Sequence, residues 1–75
     1  MLVKIRNGDY IDLRGCDLRV DESCESRYLV VMYSRRDNSE YVVDMLDTPQ
    51  SARELMDRIT TALAANAKVF RPDED

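Results

Sequence analysis

The sequence predicts an α+β fold, a four- or five-stranded antiparallel meander sheet with one C-terminal helix packed on one face. Three observations predict it. Short stretches of alternating apolar and polar residues recur up to position 46, and turn-forming residues separate them. A single pattern of 3–4 spaced apolar residues then follows, opened by Thr48-Pro49. At 75 residues the chain is expected to form one domain over residues 1–70, with residues 71–75 as a frayed acidic tail.

Val3 and Ile5 alternate with Lys4 and Arg6, and Ile11 and Leu13 with Tyr10 and Asp12. A three-residue loop, Arg6-Asn7-Gly8, pairs Val3 with Ile11 and gathers Ile5, Ile11 and Leu13 on one face. A two-residue loop would split them, and the longer one gives Gly8 a left-handed position it accepts without strain. Gly15 interrupts the pattern, and residues 16–20 resume it with Leu18 and Val20 inward. The acidic segment 21–26 reads as a loop.

Residues 27–34 form the most apolar strand. Leu29, Val31 and Tyr33 share one face, and Tyr28, Val30 and Met32 share the other. Residues 35–39 read as a turn, with Asp37 and Asn38 suited to left-handed geometry. The next strand covers residues 40–46, with Tyr41, Val43 and Met45 on one face and Val42, Asp44 and Leu46 on the other. Thr48 is placed to cap a helix with Pro49 in its first turn. Ala52, Leu55, Met56, Ile59, Ala62 and Leu63 form its apolar stripe, Glu54 and Arg58 stand in the favourable i, i+4 order, and Asn66 terminates it. Val69 and Phe70 are expected to dock back on the sheet.

Tyr41-Val42-Val43, Thr48-Pro49 and the stripe of Ala52, Leu55 and Ile59 resemble small uncharacterised bacterial and phage proteins. The resemblance implies a short sheet with a C-terminal helix, reminiscent of half a pleckstrin-homology-like barrel, and it carries no activity with it.

Composition excludes more than it assigns. The chain has no histidine and only two glycines, so it lacks both the usual general base and a glycine-rich phosphate loop. Cys16 and Cys24 have neither C-x-x-C spacing nor a basic activator, and they read as small packing groups with free thiols. The chain opens without an apolar signal segment and has no apolar stretch near the roughly 18 residues that span a membrane, which predicts a cytoplasmic, reducing location and no membrane partner. Asp17, Asp21, Glu22 and Glu25 do not match a calcium loop and read as a solvated acidic segment. No catalytic, cofactor-binding or metal-binding set emerges, and no cofactor is predicted.

Two surfaces stay in play. A domain this small buries only roughly 60% of its unfolded surface, which favours support from oligomerisation. One helix covers one sheet face, expected to be that of Leu29, Val31 and Tyr33 together with Val43 and Ile11. Tyr28, Val30, Met32, Val42 and Leu46 are then the expected interface, used in a homodimer or with another protein, and self-association ranks ahead of shielding by sheet curling. The alternative is a small nucleic-acid-binding or regulatory protein using Arg27, Arg35 and Arg36. The net charge of −4 opposes it, although nine of the eleven basic residues are arginine.

Overall fold

The structure, a computed structural model, describes residues 1–23 and 25–73. Cys24, one of the two thiols expected to be free, and the last two residues of the acidic tail lie outside the described residues. The order is β1 (Leu2–Lys4), β2 (Tyr10–Asp12), β3 (Cys16–Glu22), β4 (Tyr28–Ser34), β5 (Glu40–Leu46), α1 (Pro49–Ala64) and β6 (Val69–Phe70). The fold is α+β, but its strands form two three-stranded sheets rather than one meander. Sheet A has the order β2-β1-β6 and sheet B the order β3-β4-β5. β6 runs parallel to β1, and the remaining pairings are antiparallel. Helix α1 crosses sheet B. Val3, Ile5 and Leu13, Val30, Met32 and Val43, Ala52, Leu55 and Ile59, and Phe70 make one core between the layers.

The first hairpin has the register its apolar pattern demands. Val3 stands opposite Ile11, and the Ile5 amide donates to the Asp9 carbonyl at 2.8 Å across Arg6-Asn7-Gly8. Gly8 takes φ +99°, a conformation costly for residues with a Cβ. Beyond Asp12 the chain leaves sheet A. The Asp12 carboxylate accepts the Arg14 amide at 2.9 Å and the Arg14 guanidinium at 2.8 and 3.1 Å, and Gly15 at φ +77° completes the corner. That corner separates β2 from β3.

The same bonds favour the ionised Asp12. The Arg14 side chain first, then the Arg14 amide, hold its pKa down to about 2 from the ordinary 3.8. A folded-state pKa below the unfolded one gives stability that is present above the unfolded value and lost as pH falls through the folded one. The melting-temperature advantage of the wild type over Asp12→Asn is therefore expected to shrink between pH 3.8 and about 2. A gap that stays constant through that window in a pH series of thermal melts would contradict it.

In sheet B the structure corrects the face assignment. The turn after β4 has four residues, Arg35-Arg36-Asp37-Asn38, not five; the Ser34 amide donates to the Ser39 carbonyl at 2.8 Å, and Asn38 takes φ +61°. Tyr33 then faces Glu40, Met32 faces Tyr41 and Val31 faces Val42. A one-residue change in register turns every side chain to the opposite face. A bulge at Val43 skips one partner, so that Val30 faces Asp44 and Tyr28 faces Leu46, while Val43 itself stays in the core. The helix-covered set is thus Tyr28, Val30 and Met32, with Val30 and Met32 at 0% exposure. Leu29, Val31 and Tyr33 turn outward, and Met45 parts company with Tyr41 and Val43. Chemistry favours this choice, because Tyr33 under the helix would need a buried partner for its hydroxyl.

The helix follows its local signals. Thr48 Oγ1 accepts the Ser51 amide at 3.0 Å, and Ala52, Leu55 and Ile59 are buried against the sheet. At its end Asn66 takes φ +60°, the Ala67 amide donates to Ala62 and the Asn66 amide to Leu63, which is a Schellman closure. The reversed chain lets the Leu2 amide bond the Lys68 carbonyl at 2.8 Å and places Phe70 beside Val3. Residues 71–73, the described part of the expected tail, lie beside sheet A and the helix. Arg71 Nε donates to the Tyr10 hydroxyl at 2.9 Å, and Lys4 pairs with Asp73 at 3.5 Å. Arg58 lies 5.4 Å from the Phe70 ring and donates to the Pro72 carbonyl rather than pairing with Glu54.

Candidate functional site

The expected interface does not form one surface. Val30 and Met32 are core residues, Tyr28 and Leu46 pack at the core margin, and Val42 alone lies on the outer face. Sheet B instead turns Leu29, Val31, Tyr33, Val42 and Met45 outward. Helix and sheet A gather on the opposite side, within the core cluster. The outer face is roofed by its own side chains. Val31 is 2% exposed, with Arg19 as its cross-strand neighbour. The Arg19 guanidinium sits 3.9 Å from the centre of the Tyr33 ring, and the Tyr33 hydroxyl donates to the Asp21 carboxylate. That hydrogen bond, followed by desolvation, holds the phenol protonated above its usual range. At the other end of the strip Arg27 approaches Met45 Sδ at 3.6 Å and Asp47 at 3.7 Å.

The Arg19–Tyr33–Asp21 clamp was hidden in the sequence because segment 21–26 reads as a loop. Asp21 and Glu22 in fact complete β3, which pairs residue for residue from Cys16 opposite Ser34 to Glu22 opposite Tyr28. The available signal was the alternation of Asp17, Arg19 and Asp21 between Leu18 and Val20.

The edges of the two sheets are unequal. β2 and β6 are three and two residues long. β5 is interrupted by the Val43 bulge, and its Val42 carbonyl is taken by the Arg6 amide at 2.9 Å. β3 is regular over seven residues and pairs with β4 on one side. The Gly15 carbonyl bonds Arg35 and the Ser23 amide bonds Arg27 across the β3–β4 hairpin. By alternation, the amides and carbonyls of Leu18 and Val20 point away from β4. Among the described residues, no hydrogen bond reaches them.

The structure divides the arginines. Arg27 precedes β4 while Arg35 and Arg36 follow it, so the three sit at opposite ends of a strand about 20 Å long. Arg35 and Arg36 border an open cleft of about 670 Å³ with Arg14, Cys16 and Tyr41. The cleft is of mixed charge, since Asp12 and Asp37 also line it and Arg35 pairs with Asp17 at 3.5 Å. Hydrogen bonds from Ser39 and Ser34 keep Asp37 ionised below the usual carboxylate range. Cys16 Sγ donates to the Asp12 carbonyl at 3.6 Å, and burial, followed by the Asp12 charge, pushes its pKa up, the opposite of an activated thiolate. The carboxylates of segment 17–25 are dispersed: Asp17 serves Arg35 and Asp21 serves Tyr33. Among the described residues no three His, Cys, Asp or Glu side chains are grouped to hold a metal. Among the described residues no helix is long and apolar enough to cross a membrane.

No protein-family model, curated protein or solved structure matches the chain.

Proposed function

We propose that the protein is a protein–protein interaction module that self-associates as a homodimer through sheet B. The observation that supports this reading is the free boundary of that sheet. β3 is a regular seven-residue edge on which the backbone groups of Leu18 and Val20 are unpaired, next to an outer face carrying Leu29, Val31, Val42 and Met45. An uncommitted edge of this kind is a template for another strand. β3 has no lysine, proline or bulge, and its charged residues Asp17, Arg19 and Asp21 alternate in sign, so a second copy can oppose them with complementary charge. Cover over half-buried apolar side chains also offsets the thin core of a domain this size.

The expected result is a concentration-dependent monomer–dimer equilibrium in the micromolar range. Sedimentation velocity or light scattering across that range measures it. A strict monomer up to millimolar protein would overturn the reading. Charge introduced at Val30 or Met32 cannot report on association, since both side chains support the core.

A further inference from the structure

We infer that the dimer forms by antiparallel pairing of β3 with β3 of a second copy, with the two-fold axis at Leu18. The inference rests on the homodimer reading above and names its edge and its register.

Leu18 and Val20 point their backbone groups outward, so an added strand must hydrogen-bond to these residues. Symmetry restricts the rest, because a two-fold axis through β3 makes the strand its own partner. Three centres keep the outward residues in hydrogen-bonded pairs. An axis at Arg19 sets Arg19 against Arg19 and Asp17 against Asp21, all like charges. An axis at Val20 sets Arg19 against Asp21, whose carboxylate already holds the Tyr33 hydroxyl, and Leu18 against Glu22.

An axis at Leu18 sets no like charges opposite each other and leaves the Asp21–Tyr33 bond untouched; its Asp17 stands 3.5 Å from the exposed Arg35, a weak surface contact that Arg19 of the second copy joins. Leu18 then meets Leu18 with two hydrogen bonds, and Cys16 meets Val20 with one, because the Cys16 amide already donates to the Leu13 carbonyl at 3.0 Å; on the helix-covered face Leu18 and Cys16 already pack at the core margin. Val20, 38% exposed in the single chain, gains an apolar partner. On the outer face Asp17 meets Arg19 twice, once on each side of the axis. These are the non-hydrogen-bonded positions of the new pair, where opposing side chains come closest. The Arg19 guanidinium is held over Tyr33 at 3.9 Å, so little side-chain freedom is lost when a carboxylate approaches. The product is a continuous six-stranded sheet with both helices on one face.

The charges supply a test that reads the register itself. Asp17→Arg leaves two arginines facing two arginines in its homodimer, and Arg19→Asp leaves four carboxylates. Mixed together, Asp17→Arg with Arg19→Asp restores an opposite-charge pair at each of the two positions. Each variant alone is expected to dimerise about tenfold more weakly than wild type, and the equimolar mixture is expected to recover wild-type affinity. Val20→Pro removes an outward amide at an exposed site without touching Arg19, and it should also weaken the dimer; it serves if Arg19→Asp melts early through loss of its Tyr33 contact. Val42→Asp, on the outer face and remote from β3, should leave the dimer intact.

A wild type that stays monomeric overturns both the register and the homodimer reading. A dimeric wild type whose charge variants associate normally, with no recovery on mixing, overturns the register alone. Dissociation by Val42→Asp would then move the dimer to the outer face of sheet B.

Discussion

Truncating Met32 to alanine is expected to destabilise the protein by about 2–5 kcal/mol. Met32 is 0% exposed and belongs to the core cluster with Val30, Val43, Leu55 and Ile59. The cost combines the lost transfer energy of its side chain with the cavity left beneath the helix. A 75-residue domain has a total stability of about 4–11 kcal/mol at ordinary per-residue values, so the change removes a large part of it. Met32→Asp adds an unpaired buried carboxylate and should yield no folded protein at neutral pH. Urea denaturation followed by circular dichroism measures the first, and soluble expression with a one-dimensional NMR spectrum the second. The matching change on the other face, Leu29→Asp, should leave the fold in place. If Met32→Asp folded and Leu29→Asp did not, the face assignment of β4 would be reversed.

Phe70→Ala is expected to cost about 3–5 kcal/mol, the range for an aromatic side chain removed from a core. Phe70 is 9% exposed and is the sole core anchor of a strand only two residues long. Its ring also carries the Arg58 guanidinium at 5.4 Å. A strand of that length cannot stay paired on backbone bonds alone, so the substitution should release β6 from β1 together with the contacts of residues 71–73. Hydrogen exchange would show it as loss of protection at the Leu2 amide, which donates to Lys68. Protection in sheet B should fall only in line with global stability. A Phe70→Ala protein with wild-type stability and a protected Leu2 amide would refute the role of β6 as a clasp.

Local physics fixed several elements before any tertiary contact is considered. The loop Arg6-Asn7-Gly8 is specified because one register gathers Ile5, Ile11 and Leu13 and because Gly8 tolerates φ +99°. Helix α1 is specified by the Thr48 cap, Pro49, its apolar stripe and Asn66, all of which act within a turn or two of chain. Doubly apolar β4 was also visible, and with it the demand for cover on two sides. The cover differs from expectation, since the outer side is roofed partly by Arg19 and Tyr33 in place of a bare patch.

The identity of each face was not legible. Four- and five-residue turns at Arg35-Arg36-Asp37-Asn38 are locally comparable, yet they place opposite sides of β4 under the helix. The bulge at Val43 has no local marker either, since Val43 carries no glycine-like signal. Both were decided by what the completed core buries best: Val30, Met32 and Val43 fit under the helix, while Tyr33 needs Asp21 outside. The division into two sheets depends likewise on the Asp12–Arg14 corner and on β6, which reaches β1 from the far end of the chain.

The α+β composition, the first hairpin, the helix and both of its ends are legible in the amino-acid order, because each is set by neighbours within a few residues. Which face of β4 is core, where the sheets divide and which edge is left unpaired emerge from long-range packing alone. Those outcomes follow from a single comparison of whole-chain packings, in which a shift of one residue exchanges every inward side chain for its outward neighbour.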